Sequence, residues 1–192
     1  MERIKDEFIY HVVTEKKMEL GQKITFGKTP NSLYSRVFNW QFLNDKNQDS
    51  LEIINSKNFD DFSESDKKTI KTYIYENAMI TREYVLEQVR KEKYSDYPSR
   101  MFCLYCVRTL EDTKGWVEVF RLMKRPVLQI VKMKATGKIF DGDARHVLRD
   151  ALSLNHKIEL AENYWKAQGE KKIKESLFEG TVEVVEIIED MN

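Results

Sequence analysis

Apolar and polar positions alternate along this chain with two different periods. Phe8–Thr14, FIYHVVT, is aromatic or β-branched at six of seven positions and reads as a short strand. From Ser63 to about Lys93 the spacing changes to three and four. Ile70, Tyr73, Ile74, Asn77, Ala78, Thr81, Tyr84, Val85, Gln88 and Val89 then share one face of a core-facing helix with a partly wet edge. Ser63, with Asp66 three residues on, predicts its N-terminal cap. MFCLYCVR, residues 101–108, is apolar on both faces and predicts a central strand, with Pro98 just before it. Residues 110–124 predict a helix burying Trp116, Val119, Phe120 and Met123, ended by Pro126. Val127–Lys134 predicts a strand, ATGK a turn and IFDGD the second arm of a hairpin. Asp143 predicts the cap of a short helix through Ala151. Lys157–Gln168 predicts a helix with Ile158, Ala161, Tyr164 and Trp165 inward and Gly169 at its end. SLFEGTVEVVEII alternates and reads as one bent strand or two short ones.

Between the first strand and the long helix the pattern is weaker. Gly21, Gly27 and Pro30 punctuate a turn, an extended piece at Lys23–Phe26 and a loop. Residues 39–62 read as a short helix or an irregular surface segment. The order of elements predicts one α+β domain over residues 1–192, with a mostly antiparallel sheet assembled from distant segments.

Composition narrows the classes. The chain has 192 residues, enough for one sizeable core, and 32 acids balance 32 lysines and arginines. A zero net charge predicts no overall attraction to nucleic acid or to anionic membrane. One local exception is the acid-free run with Arg121, Lys124, Arg125, Lys132, Lys134 and Lys138. It reads either as a phosphate-tracking patch for nucleic acid or as a solvated hairpin. No apolar run approaches the roughly 20 residues that span a bilayer. The charged start MERIKDEF lacks an apolar signal region, so a cytoplasmic protein is expected. Cys103 and Cys106 are the two cysteines, and their odd separation on a strand sends them to opposite faces. With no second pair and no nearby histidine pair, they read as buried and reduced, and no metal is expected. Asp141 and Asp143 flank a glycine in FDGD, which reads as a turn rather than a calcium loop.

Candidate chemistry begins at His11, a polar ring inside an apolar strand. Such a ring costs free energy unless it finds a partner. It is either a core histidine bonded to a backbone carbonyl or a strand histidine that faces a cleft and holds a ligand hydroxyl.

Three separated pieces, FIYHVVT, YPSRMFCLYCV and ESLFEGTVEVVEI, together resemble the ADP-ribosyltransferases of the His–Tyr–Glu type. The resemblance is closest to small bacterial and phage proteins, and more remote to toxins that ADP-ribosylate nucleic acid. It implies a split antiparallel β-sheet core with flanking helices, NAD as co-substrate without a metal, and an oxocarbenium-like transition state. It also implies a nucleic-acid or protein acceptor and, for a toxin, an antitoxin partner. His11 would hold the adenosine ribose, and Thr14 would add a hydroxyl. Ser99 and Arg100 would contact the cofactor, Arg100 by gripping a phosphate; the alternative for Arg100 is a surface pair with Asp96. Tyr105 would be the tyrosine of the pattern, or plain core packing. Glu175 would stand beside the cationic sugar, with Glu179 as the alternative acid, or both are solvated charges. No aromatic of the second motif stands clearly at its expected place. A catalytically inactive domain of the same fold, binding a nucleotide, nucleic acid or protein, is therefore the alternative function. A tRNA phosphotransferase-like activity wants several arginines, and only Arg100 is well placed.

Overall fold

The computed structural model describes residues 1–147 and 153–191. Its strands are β1 (Glu2–Val13), β2 (Lys23–Phe26), β3 (Leu104–Cys106), β4 (Gln129–Asp143) and β5 (Lys174–Asp190). Its helices are α1 (Ser32–Phe38), α2 (Ser50–Ser56), α3 (Glu64–Lys93), α4 (Leu110–Leu122) and α5 (Leu154–Lys166). The fold is α+β, and all the strand pairings are antiparallel.

β4 and β5 pair along nearly their whole lengths, from Gln129 with Asp190 to Asp143 with Lys174. β1 lies on the other edge of β4. The second edge of β5 carries β2 at Gly180–Glu183 and β3 at Ser176–Phe178. Tyr10 and Val107 exchange both backbone hydrogen bonds at 2.9 Å. Pairing therefore runs β1, β4, β5, β3 and returns to β1 through that single bridge.

The two-residue period of the strands produces two cores. The inner one gathers Ile4, Ile9 and Val13 of β1, Leu104 and Cys106 of β3, Val131, Met133, Ala135 and Ile139 of β4, and Phe178, Val182 and Val184 of β5. The outer one packs Phe140 and Leu177 against Val85, Leu86 and Val89 of α3 and Ala161, Tyr164 and Trp165 of α5.

The turn predicted at ATGK is absent, because β4 runs straight through it. Gly137 pairs with Gly180. A Cβ at Gly137 would lie 2.2 Å from the Glu179 carbonyl oxygen, and one at Gly180 would lie 2.4 Å from that of Thr136. The glycine that resembles turn punctuation instead lets two backbones approach. The final run is one continuous strand, β5.

The predicted strand 101–108 shrinks to the three residues of β3. Before it, the amides of Phe102 and Cys103 fold back onto the Ser99 carbonyl. Cys103 packs in the outer core and Cys106 in the inner one.

α3 spans the predicted residues and starts with the Ser63–Asp66 capping box. Asp66 also accepts from Lys57 Nζ at 2.6 Å and Asn44 Nδ2 at 2.8 Å. Those bonds, the lysine first, hold its carboxyl far below the ordinary range and tie residues 44–57 to the helix. The buried face differs from the predicted stripe: Ile74 is 61% and Tyr84 50% exposed, whereas Glu83 and Glu87 are buried with Met79, Leu86 and Val89. Hydropathy spacing scores a glutamate as wet, and here Arg82 and Arg90 of the same helix pair with Glu83 and Glu87 and make their burial tolerable.

Smaller departures have local causes. α1 forms in the predicted loop because Asn31 caps it, accepting from the amides of Leu33 and Tyr34. On α4, Thr113 is buried while Trp116, Val119 and Phe120 are only half-buried, and Met123 is the exposed C-cap. On α5, Ala161, Tyr164 and Trp165 are buried, while Ile158 is partly exposed. Ala167, not Gly169, is the left-handed C-cap of α5. After Asp143 the chain makes a short 3-10 turn, Ala144–Val147, and the rest of the predicted helix lies outside the described residues. Among the described residues, no helix is long and apolar enough to cross a membrane.

Candidate functional site

Beyond the Tyr10–Val107 bridge, β1 and β3 part. The Tyr105 carbonyl then faces β1, and His11 Nδ1 donates to it at 2.7 Å. The imidazole takes the place a strand amide would fill if pairing continued. A carbonyl only accepts, so the proton of the neutral ring sits on Nδ1. Burial lowers the pKa of His11 to about 4; the Tyr105 bond opposes this, Arg125 adds to it and Glu15 opposes it. Arg125 and Glu15 form their own ion pair at 3.1 Å. At neutral pH the ring is therefore uncharged and Nε2 is a bare acceptor. No described residue donates to Nε2.

A cluster of buried charge stands at the other end of the same segment. Arg100 and Glu175 are each 5% exposed and Glu83 1%. Arg100 Nε donates to Glu83 at 2.8 Å, Nη2 to the same carboxylate at 3.4 Å, and Nη1 to Glu175 Oε1 at 2.5 Å and Tyr164 Oη at 2.9 Å. Tyr164 in turn donates to Glu175 Oε1 at 2.7 Å. The guanidinium lies 5.2 Å from the ring centres of both Tyr105 and Tyr164. Burial works against the charge on Arg100, yet Glu175 and Glu83 hold its pKa well above the ordinary value. Burial likewise opposes the charge on Glu83, and Arg100 with Arg82 holds its carboxyl below the usual range.

The residues singled out by sequence divide accordingly. Arg100 is neither at the surface nor paired with Asp96; each of its guanidinium nitrogens already has a protein partner. Ser99 Oγ donates to Glu87 at 3.0 Å and accepts from the Met101 amide. Tyr105 Oη donates to the Arg100 carbonyl at 2.8 Å. Thr14 is half-buried just past β1. His11 shares a face of β1 with Ile9 and Val13 of the inner core, and Glu175 shares a face of β5 with Leu177 of the outer core. The two side chains thus leave the sheet on opposite faces and connect only through residues 100–105. Glu179 is half-buried against Gly27, where an added Cβ would lie 2.2 Å from its Cγ.

The basic run is interleaved with acids from outside it: Arg121 with Glu118 of the same helix, Arg125 with Glu15, Lys132 with Glu186 and Lys134 with Asp6. Asp141 accepts from Arg108 and Ser176, and Asp143 from Arg145 and the amides of Lys172 and Ile173. Among the described residues, no group of three or more His, Cys, Asp and Glu is placed to hold a metal ion.

Three members of this site have only faint signals in sequence. Glu83 lies four residues after Met79 and three before Leu86, an acid on an apolar face. Tyr164 sits on the inward face of α5, where a buried hydroxyl demands a partner. Asn31 looks like loop punctuation, but its Nδ2 donates to the carbonyls of Arg100 at 2.8 Å and Cys103 at 3.0 Å.

No curated protein matches the chain by sequence. Residues 9–190 match the family described as protein of unknown function DUF2441, and the chain belongs to that family.

Proposed function

We propose that the chain binds the ribose of a nucleotide, NAD foremost, at His11, on a domain of the ADP-ribosyltransferase type whose acid is withdrawn from catalysis. The observation that carries this is the bare Nε2 of a neutral, oriented imidazole at the parting of two strands. It is an acceptor matched to a sugar hydroxyl, and the Tyr105 bond fixes the ring before any ligand arrives. The parting of β1 from β3 also supports regarding the sheet as the split core of that fold type. Glu175 is neutralised by Arg100 and lies on the other face, which favours binding over turnover.

A second function, mono-ADP-ribosyl transfer to nucleic acid or protein as in a toxin, is favoured by the order of the three resembling pieces. It is also favoured by Glu175 Oε2, which accepts no bond from a described residue. That chemistry breaks the bond from nicotinamide to ribose through a cationic sugar, and a carboxylate beside that sugar would lower the barrier.

One experiment separates the two. Calorimetry should detect NAD binding to the wild-type protein and at least tenfold weaker binding to H11A. Nicotinamide release from labelled NAD should be absent. Release abolished by E175Q, with the ADP-ribose label appearing on added nucleic acid or protein, would establish transfer instead. NAD binding equal in H11A and wild type would remove His11 from the site.

A further inference from the structure

We propose that the buried Glu83–Arg100–Glu175–Tyr164 cluster is the positioning element of the His11 site, acting through residues 99–105. The proposal rests on His11 being the ligand-binding group.

The connection is made of hydrogen bonds, end to end. Glu83 and Glu175 fix the guanidinium of Arg100 from two sides, and Tyr164 bridges Arg100 to Glu175. The backbone carbonyl of the same residue accepts from Asn31 Nδ2 and from Tyr105 Oη, both at 2.8 Å. Asn31 also donates its amide to the Met101 carbonyl, and Gly27 donates to that of Phe102, each at 2.9 Å. Tyr105, held by its hydroxyl at one end, presents its carbonyl to His11 Nδ1 at the other.

This arrangement has a chemical consequence. Free imidazole exchanges its proton between two nitrogens, and only one tautomer leaves Nε2 as an acceptor. The Tyr105 carbonyl selects that tautomer only while it stays within hydrogen-bond reach, and its place is set by the segment that Arg100 anchors. A side chain such as Arg100, with no free nitrogen for a phosphate, thereby acts on the ligand from the far face of the sheet. Glu83, Arg100, Glu175 and Tyr164 are positioning residues in this scheme, and His11 is the group that touches ligand.

Nitrogen-15 NMR of the His11 ring reads this directly, with no ligand present. Wild-type protein should show the Nδ1-protonated tautomer. In Y105F, which keeps the backbone carbonyl but deletes its tether to Arg100, and in E175Q, the ring signals should move toward a mixture of tautomers. NAD affinity should fall about tenfold alongside. Amide spectra establish that each variant is folded, and should E175Q fail to fold, Y105F decides alone. A folded variant that keeps the wild-type His11 signals overturns the proposal. Absence of NAD binding to wild-type protein would sink the ligand assignment alone, since the tautomer measurement still decides the positioning role.

Discussion

Arg100 Nη1 and Glu175 Oε1 are 2.5 Å apart in a site where both residues are 5% exposed. One guanidinium there faces two carboxylates, Glu83 and Glu175, and Arg82 supplies a second cation to Glu83. Charge is balanced within the cluster, which is the condition for burying it at all.

Removing one partner should therefore strand a buried charge that removing a second partner relieves in part. R100M leaves two buried carboxylates facing each other and should lower stability by about 3–5 kcal/mol. E175Q keeps shape and one acceptor oxygen and should cost less, about 1–3 kcal/mol. Urea unfolding of R100M, E175Q and the double variant measures this. The double variant should lose less than the sum of the two single losses, because the charge stranded by one change is relieved by the other.

The titration of His11 gives a signed pH effect. Its folded pKa of about 4 lies below the ordinary 6.5, so between those values the unfolded chain binds more protons than the native one. Stability should fall as pH drops through that window, with a slope that stays below the ~1.4 kcal/mol per pH unit of one full proton because the two titrations overlap at its edges. The H11Q curve should be flatter there by that amount. Parallel curves for the two proteins would contradict the lowered pKa.

Gly137 and Gly180 should resist even the smallest side chain. In both G137A and G180A the new methyl meets backbone rather than a mobile side chain, and Gly180 also holds φ at +146°. Losses at or above the upper end of about 1–3 kcal/mol are expected. G115A, where an added Cβ meets nothing within 4 Å, is the control and should be neutral or slightly stabilising on its helix.

At the start of α3, S63A should cost about 1 kcal/mol, the usual worth of a cap. D66A should cost about 2–3 kcal/mol, because it also frees the Lys57 ammonium and Asn44 amide from their acceptor. Proteolysis within residues 44–57 should quicken in D66A and not in S63A.

Legibility in sequence followed locality. The long helix and its cap are written in spacings of three and four residues, β2 in the glycines and proline around it, and the α+β class in the order of elements, and they hold. His11 stood out because one polar ring interrupted an apolar strand. The glycine at position 137 misled, since a close strand crossing and a turn demand the same residue. The charge cluster was illegible for a different reason: Glu83, Arg100, Tyr164 and Glu175 are up to 92 positions apart, and only the assembled sheet and helices make neighbours of them. A buried ion pair leaves no periodic trace, because each member alone resembles a surface charge.

Cys103 and Cys106, three residues apart in the chain, sit in separate hydrocarbon compartments. Each thiol is thus a chemical reporter on the opening of its own compartment. Alkylation rates in C103A and C106A would reveal whether the closed sheet and the helix layer breathe as one cooperative unit or yield one after the other.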